Sequence, residues 1–431
     1  MNQYETQRIL EEFQRAGFAI VPFGEHADVY VINTCSVTGQ AEAKSRQVVR
    51  RAIRNNPHAK IVVTGCSAQM ALNQKKIFEG ADLLIPNPEK LHTLSYVLRA
   101  FPELVSENAK EHDASTLQSL PIRANVKIQD GCNVFCSYCS IPYTRPQMIS
   151  RPYHEILREV RNLIRLGCQE IVLTGVLIGS YGPETGSGGP RFEELIHELA
   201  SLPGTFRLRI SSIETTQVTE DLIGIVKDPS AKVVPHLHIP LQSGSTKVLK
   251  DMNRPYTQQD YIRLCQHLYA TIPNIAITTD ILVGFPTETD DDFLDTLSVC
   301  EAVRFARAHV FRFSSRPGTP ADGWGDPVKP EIKEHRSKQV IEITNQTRRE
   351  YVAKFFGKTL DVVVESFSPE TGVLKGYTEN YIDTEFPGDP SWVGTTAKVR
   401  LTSLENLSAK GEPVKTQTRQ AIPTLRVIPT R

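Results

Sequence analysis

The sequence lacks any apolar run near the roughly 20 residues that a membrane-spanning helix needs. Its first ten residues, MNQYETQRIL, also lack the basic-then-apolar pattern of a secretory signal peptide. These two absences predict a cytoplasmic protein that has no membrane partner. In that reducing compartment the eight cysteines are expected as thiols rather than disulfides, so clustered cysteines indicate a metal site.

An excess of charge is also absent, because 49 Lys and Arg balance 49 Asp and Glu. The balance gives no overall signal for nucleic acid, but the charge is uneven along the chain. Residues 43–60 carry six basic and no acidic side chains, and residues 393–431 carry seven basic against two acidic ones. Such patches can supply phosphate contacts, with Arg50 and Arg51 as candidates, or can be ordinary solvated surface.

Alternating helix and strand patterns predict an α/β protein with three domains. In residues 1–105, the apolar runs VYVINT and KIVVTG predict buried strands of an open α/β sheet. Residues 106–121 are polar and lack periodicity, so they indicate a linker. Residues 351–431 contain short β segments from LDVVVES to LRVIPT, and they predict a small all-β barrel.

The longest domain, residues 122–350, predicts six strands that helices separate. The strand candidates are VKIQDG, EIVLTG, RLRISS, VPHLHIPLQ, ITTDILVGF and AHVFRFS. Long helical connections favour parallel pairing. Because polar residues recur after these strands, where barrels place their chemistry, we interpret the domain as a partial (β/α)6 barrel.

The strongest chemical signal is the segment DGCNVFCSYCSIP, in which Cys132, Cys136 and Cys139 have the spacing CxxxCxxC. Three thiolates on one loop can bind a 4Fe-4S cluster, and the next cysteine, Cys168, is too distant in sequence to be a local fourth ligand. Such a cluster leaves one iron open, and S-adenosylmethionine (SAM) can chelate that iron. A structural zinc site is the alternative, but it closes with four ligands, and no His follows at zinc-finger spacing.

Residues after the later predicted strands are candidates for binding SAM. They are Gly175, Ser211, Glu214, Gln242 and Gly284, together with Tyr138 inside the cysteine segment. The carboxyl ends of barrel strands surround one mouth, so we expect these positions near the cysteine triplet. Each alone is equally typical of a turn or of the core. His236 and His238 alternate with apolar residues, so both should face one side of their strand.

Two further cysteines follow the predicted strands of the N-terminal domain. Cys35 comes directly after VYVINT, and Cys66 comes directly after KIVVTG. Equivalent strand ends lie at one edge of a parallel sheet, so this pair predicts a second metal site. The alternative is two ordinary buried cysteines, which is our interpretation of Cys168, Cys265 and Cys300.

Several motifs together resemble one family over nearly the whole chain. They are NQYET (residues 2–6), INTCSVT (32–38), SRQ (45–47), VTGC (63–66), the CxxxCxxC segment, RISSIE, HLHIPLQSGS, VGFPTET, RPGTPA and GYTENY. The triplet is typical of the radical SAM superfamily, and the full set resembles the tRNA methylthiotransferases. NQYET, RISSIE and GYTENY are most similar to the branch that acts on threonylcarbamoyladenosine at position 37 of tRNA.

The resemblance implies an enzyme that converts threonylcarbamoyladenosine to its 2-methylthio derivative by radical SAM chemistry. It implies SAM, a 4Fe-4S cluster on Cys132, Cys136 and Cys139, and a second 4Fe-4S cluster in the N-terminal domain. The implied partners are the tRNA anticodon loop and an electron donor such as flavodoxin or ferredoxin, and the C-terminal segment is implied to be an RNA-binding TRAM domain.

Two other classes of protein remain open at this point. One is a different radical SAM enzyme that modifies RNA, either an isopentenyl-adenosine methylthiotransferase or an RNA methylase. The other is a non-catalytic, zinc-containing RNA-binding protein.

The sequence departs from the family's pattern at one place. The family has three N-terminal cysteines, and the first precedes the Asn of the NxYE run by three residues. In this numbering that first cysteine would fall before Met1. The sequence therefore contains Cys35 and Cys66 but neither the third ligand nor the first strand. We therefore expect a second cluster that these two cysteines hold incompletely.

Overall fold

The computed structural model describes residues 1–36, 38–104 and 122–415. The predicted linker and the predicted last strand, LRVIPT, lie outside the described residues. Among the helices described, none combines the length and the apolar character that crossing a membrane requires.

The N-terminal domain is a three-stranded parallel sheet between helices. Its elements are α1 (Asn2–Arg15), β1 (Val29–Thr34), α2 (Gly39–Asn55), β2 (Lys60–Gly65), α3 (Cys66–Asn73), β3 (Leu83–Leu84) and α4 (Thr93–Ala100). The strands predicted from VYVINT and KIVVTG are present, and Thr34 lies opposite Gly65 where they end. In β2, Val62 packs against residues of α1 and α4, while Val63 packs against α2 on the other face. Burial on both faces explains why this strand is a continuous apolar run.

The middle domain alternates strands and helices as predicted. Its elements are β4 (Arg123–Lys127), β5 (Gln129–Asp130), α5 (Ile141–Thr144), β6 (Ile149–Ser150), α6 (Tyr153–Arg165), β7 (Glu170–Thr174), α7 (Phe192–Ala200), β8 (Arg207–Ile210), α8 (Glu220–Lys227), β9 (His236–His238), α9 (Thr246–Asp251), α10 (Gln258–Thr271), β10 (Ala276–Val283), α11 (Asp290–Val303), β11 (Arg307–Arg312) and α12 (Pro330–Ala353). The six predicted strands are β4, β7, β8, β9, β10 and β11, and all are present.

These six strands form an open barrel. One parallel ladder has the order β4-β7-β8, and the other has the order β9-β10-β11. Single bridges from Leu208 to Val233 and from Ser212 to His238 join the two ladders. Among the described strands, β4 pairs only with β7 and β11 only with β10, so the ring does not close. The prediction of an α/β domain is confirmed, and its six strands form two parallel ladders.

The C-terminal domain is a closed five-stranded barrel. Its strands are β12 (Thr359–Ser368), β13 (Val373–Thr378), β14 (Asp383–Pro387), β15 (Thr396–Glu405) and β16 (Ser408–Lys415), in the order β12-β13-β14-β16-β15. The prediction missed β16, because its sequence SAKGEPVK contains Gly and Pro, which are depleted in strands. A two-residue loop leads into it, and Asn406 and Leu407 have the positive φ angles, 47° and 65°, that a tight hairpin turn of this kind needs.

Two features join the C-terminal barrel to the middle domain. The end of α12 continues into the core of the small barrel, where Tyr351 and Phe355 are buried. In addition, Arg209 of β8 donates to the carbonyl oxygens of Thr378 and Glu379 at 3.3 and 3.1 Å. The two barrels therefore share a packed, hydrogen-bonded boundary.

Candidate functional site

The cysteine triplet lies on the loop that follows β4 and the short strand β5. Cys136 is buried, and Cys132 and Cys139 are half-buried. The backbone N–H of Val134 donates to the Sγ of Cys132 at 3.4 Å, and the N–H of Ile141 donates to the Sγ of Cys139 at 3.4 Å. Such donors stabilise a thiolate, which is the form that binds iron.

The sulfur of Cys136 has a charged partner that the sequence did not reveal. Arg254 donates from Nη1 to the Cys136 Sγ at 3.3 Å, and its side chain is only 2% exposed. The same guanidinium forms a two-armed ion pair with Glu214, including an Nη1–Oε1 distance of 3.2 Å. Arg254 thus places a fixed positive charge beside the triplet, and Glu214 orients it.

Neighbouring segments hold the cysteine loop in position. Asn253 donates from Nδ2 to the carbonyl oxygens of Val134 and Phe135 at 2.8 and 3.2 Å. Ser137 accepts at its carbonyl oxygen from the N–H of Ala321 at 2.8 Å, which ties the loop to the RPGTPA segment. The loop is therefore fixed from two sides by residues more than a hundred positions away in the chain.

The triplet offers three thiols as possible metal ligands. Burial raises the pKa of Cys139 to about 12 and also raises the pKa of Cys132, so metal binding must displace these protons. Within the described residues, no three His, Cys, Asp or Glu side chains converge as ligands of one metal ion. The donor set is three thiols with N–H and guanidinium donors, which suits a 4Fe-4S cluster.

Several of the predicted SAM-binding residues already have protein partners. The N–H of Gly284 donates to Glu288 Oε2 at 2.9 Å. Next to Gly175, the N–H groups of Val176 and Leu177 both donate to Gln129 Oε1, at 3.0 and 2.8 Å. The backbone at these two glycines is therefore engaged in holding the strand ends.

The surroundings of Gln242, Tyr138 and Ser211, three other predicted SAM-binding residues, differ from one another. The N–H of Gln242 donates to the Asp280 carbonyl oxygen at 2.9 Å, and Gln242 has a positive φ of 62°. Tyr138 packs edge-on against Phe285, with ring centroids 6.5 Å apart. Ser211 is different, because its hydroxyl is buried and has no hydrogen-bond partner among the described residues.

The two N-terminal cysteines follow neighbouring parallel strands at one edge of the sheet. Cys35 and Cys66 follow Thr34 and Gly65, which are paired in register. Cys66 is the first residue of α3, and Asn87 Nδ2 lies 3.9 Å from its Sγ. The serine that follows Cys35 reaches the cysteine loop, because the hydroxyl of Ser36 lies 3.5 Å from that of Ser140.

A buried acid in the NQYET segment fixes this interface. Glu5 is fully buried and contacts Lys90, Lys127 and Arg145 at 2.8, 2.9 and 2.9 Å. Burial alone would raise the pKa of Glu5, but the hydrogen bond and charge of Arg145, with Lys127 and Lys90, hold it well below its usual value. Glu5 therefore stays ionised and joins α1 to β4 and to the segment after the triplet.

The predicted basic surface of α2 is partly neutralised. Arg46 pairs with Glu42, and Arg50 lies 3.4 Å from Glu79 while remaining 65% exposed. Arg51 covers the Phe23 ring. The basic residues after position 415 lie outside the described residues.

Comparison with known proteins assigns the class of this fold and site. Residues 126–300 match the Radical SAM superfamily, and residues 1–85 match the uncharacterized protein family UPF0004. The fold is similar to that of the radical S-adenosylmethionine methyltransferase TsrM from Kitasatospora setae with cobalamin and a 4Fe-4S cluster bound. The TM-score is 0.51 at 13% identity, over 75% of this chain and 74% of that one. The middle domain is thus a radical SAM domain.

Full-length relatives give the family. The chain is 37% identical over 414 residues to threonylcarbamoyladenosine tRNA methylthiotransferase MtaB of Bacillus subtilis (strain 168), covering 93% of this chain and 91% of that protein. It is 35% identical over 437 residues to the tRNA-2-methylthio-N(6)-dimethylallyladenosine synthase of Acetivibrio thermocellus, covering 96% and 89%. The chain belongs to the tRNA methylthiotransferase family, in the branch of the threonylcarbamoyladenosine enzymes.

Proposed function

We propose that this protein attaches a methylthio group to threonylcarbamoyladenosine at position 37 of tRNA. The observation that carries the proposal is the similarity to the Bacillus subtilis threonylcarbamoyladenosine tRNA methylthiotransferase MtaB, which spans 93% of this chain. The cysteine loop with its buried arginine supports it, because the site provides thiol ligands and a nearby positive charge.

Cys132, Cys136 and Cys139 are the proposed ligands of the radical 4Fe-4S cluster. When bound, the cluster and SAM supply the radical chemistry that replaces the hydrogen on carbon 2 of adenine, a C–H bond that acid–base groups cannot activate. The chain's part is to hold the thiolates with N–H and guanidinium donors and to exclude water around them. The proposed walls of the SAM site are Tyr138, Gly175, Ser211, Glu214, Gln242 and Gly284.

Cys35 and Cys66 are proposed as ligands of a second 4Fe-4S cluster, in a domain spanning residues 1–105. Their adjacent positions at the sheet edge support this role, as does the contact between Ser36 and Ser140. Within the described residues no third Cys, His, Asp or Glu joins them in a metal-binding group.

RNA contacts are proposed on both sides of the radical SAM domain, residues 122–350. Residues 351–431, which include the barrel strands β12 to β16, are proposed as a TRAM-like RNA-binding domain, and residues 106–121 as a linker. Arg50 and Arg51 of α2 are proposed to contact phosphates of the anticodon loop. A flavodoxin or ferredoxin is proposed as the electron donor, and the cytoplasm as the location.

The test is a reaction of the purified, iron- and sulfide-reconstituted chain with SAM, a reductant and two tRNAs. One tRNA carries threonylcarbamoyladenosine, and the other carries dimethylallyladenosine. We expect the methylthio group only on the first. Methylthiolation of the dimethylallyl tRNA alone would favour the other branch, to which the 35% identity with the Acetivibrio enzyme points.

A further inference from the structure

A polar cavity lies where all three domains meet. It has a volume of about 590 Å³, and the residues that line it include Arg123, Ser211, His236, Thr278, Glu365 and Tyr381. A volume of this size suits a small ligand or a substituent of a larger one. Only three of the lining residues are aliphatic, so the cavity selects for a polar occupant.

The wall that β4 forms carries positive charge. Behind it, the buried Glu170 accepts from three arginines, Arg123, Arg207 and Arg209, so one carboxylate is shared among three cations. Arg209 also donates to carbonyl oxygens of the C-terminal barrel. Arg123 donates from Nε to Glu170 and from Nη1 to Glu365, each at 2.8 Å, and no described residue accepts from its Nη2. An anionic group in the cavity therefore meets a guanidinium donor that is not yet used.

Two histidines and a threonine form a hydrogen-bonded chain on the opposite wall. Thr278 Oγ1 lies 3.0 Å from both His236 Nε2 and His238 Nδ1, and His238 Nε2 lies 3.3 Å from Asp280 Oδ2. The threonine hydroxyl has one proton to donate. When His238 donates from Nε2 to Asp280 and accepts at Nδ1 from Thr278, Thr278 in turn accepts from His236 Nε2–H.

This order leaves one unused acceptor in the cavity. Burial lowers the pKa of His236 well below its ordinary value, so its ring is neutral. With the proton on Nε2, His236 Nδ1 carries a lone pair, and it is buried without a partner among the described residues. The buried hydroxyl of Ser211 also lacks a partner there. Buried polar atoms of this kind are costly unless a ligand satisfies them.

We infer that this cavity binds the N6 side chain of the modified adenosine, with Arg123 on its carboxylate and His236 Nδ1 accepting from one of its N–H or O–H groups. The inference rests on the proposed function. A threonylcarbamoyl group has a carboxylate, a hydroxyl and ureido N–H groups, and so matches each unused partner. A dimethylallyl group has no carboxylate, hydroxyl or N–H group. Its entry would leave the polar atoms of the cavity desolvated and unpaired.

The end of one strand links the cavity to the cysteine loop. Ser211 and Ser212 line it, and two residues further Glu214 pairs with Arg254, which contacts the Cys136 sulfur. The inference requires the adenine ring to lie toward the cysteine loop when its side chain is held between Arg123 and His236. Tyr381, from the GYTENY segment, closes the cavity and stacks on Tyr377 with ring centroids 5.0 Å apart.

The experiment measures equilibrium binding of the reconstituted full chain to three tRNAs that differ only at one adenosine, which is unmodified, threonylcarbamoylated or dimethylallylated. For the unchanged chain we expect the threonylcarbamoyl tRNA to bind tightest, by about 10- to 100-fold. Arg123→Gln and His236→Gln should each lose most of that preference while keeping the affinity for unmodified tRNA. The glutamine at 236 keeps a donor for Thr278 but has no atom equivalent to Nδ1.

Arg123→Lys and Arg191→Gln complete the design. Arg123→Lys retains a positive charge beside Glu170, protecting the fold, and should lose part of the preference. Arg191 is 70% exposed and outside the cavity, so Arg191→Gln should keep the full preference for the threonylcarbamoyl tRNA. Equal binding of the three tRNAs by the unchanged chain, or full preference in both glutamine variants, overturns the inference. If the proposed function alone fails, the preference is present and depends on Arg123 and His236, but the bound tRNA gains no methylthio group.

Discussion

The hydroxyl oxygens of Ser36 and Ser140 lie 3.5 Å apart, and each serine directly follows a cysteine that we propose as a cluster ligand. Both serines are 3% exposed, so the contact is inside the protein. The end of the N-terminal sheet and the radical SAM loop therefore share one interface from which water is largely excluded. A reaction that uses both thiol sets needs this arrangement.

Replacing any cysteine of the triplet should abolish SAM cleavage. Cys132→Ala, Cys136→Ala or Cys139→Ala removes one of three ligands, so we expect loss of one cluster's iron and of deoxyadenosine formation after reduction. Iron analysis and product chromatography measure both. Cys300, which is buried in the main core, provides the control, and Cys300→Ala should keep both. Normal deoxyadenosine formation by the triplet variants would show that the ligands lie elsewhere.

The N-terminal cysteines should be needed for sulfur insertion but not for SAM cleavage. Cys35→Ala and Cys66→Ala leave the radical loop intact, so deoxyadenosine should still form. The methylthio product should disappear, and mass spectrometry of the tRNA nucleosides detects this. Cys265→Ala, in the core, is the matched control. A full yield of methylthio product from the double variant contradicts a role for these thiols and revives the RNA methylase alternative.

Arg254 should raise the reduction potential of the radical cluster. Its guanidinium donates to the Cys136 Sγ at 3.3 Å, and nearby positive charge and hydrogen bonds to sulfur favour the reduced cluster. We expect Arg254→Met to lower the potential by about 60 mV or more, which is tenfold in a one-electron equilibrium. A redox titration followed by electron paramagnetic resonance measures it. Arg263→Met, at a 67% exposed site, should leave the potential unchanged. An unchanged potential in Arg254→Met refutes the assigned role.

Loss of the Glu5 charge should destabilise the domain interface. Glu5→Gln leaves Lys90, Lys127 and Arg145 without their shared carboxylate, at a cost of about 3–5 kcal/mol. The urea midpoint at neutral pH measures the change. Glu11→Gln, which affects only exposed pairs on α1, should shift that midpoint little.

The same carboxylate gives a pH dependence with a definite sign. The pKa of Glu5 is lower in the folded protein than its usual value of 4.5, so the unfolded chain takes up the proton first as the pH falls. The contribution of Glu5 to the free energy of unfolding is therefore fully present above about pH 4.5 and is lost progressively below that pH. The difference in urea midpoint between Glu5→Gln and the unchanged chain should shrink as the pH falls from 7 to 3. A constant difference over that range argues against an ionised Glu5.

Local patterns in the sequence predicted much of the fold. Each of the six barrel strands is an apolar segment bounded by helical patterns, and each was found where predicted. The expectation for His236 and His238 is also confirmed, because alternation along a strand is local geometry, and both rings contact Thr278 Oγ1. The triplet was identifiable for the same reason, since its three thiols lie within eight consecutive residues.

Contacts between distant segments could not be predicted in this way. Arg254 reaches Cys136 across 118 positions, and no local pattern in MNRPYT marks it as a partner of a sulfur. The glycines after the strands suggested open backbone, but Glu288 occupies the N–H of Gly284 through a side-chain contact that spacing does not encode. The strand β16 was missed because its partners in the barrel, rather than its own residues, select its conformation.

The most direct test of the account is analysis of tRNA nucleosides from cells that lack the gene and are complemented with this chain. We predict that 2-methylthio-threonylcarbamoyladenosine returns with the unchanged chain and stays absent with Cys136→Ala expressed at the same level. Return of the mark with Cys136→Ala, or methylthiolation of dimethylallyladenosine in place of threonylcarbamoyladenosine, would contradict the account.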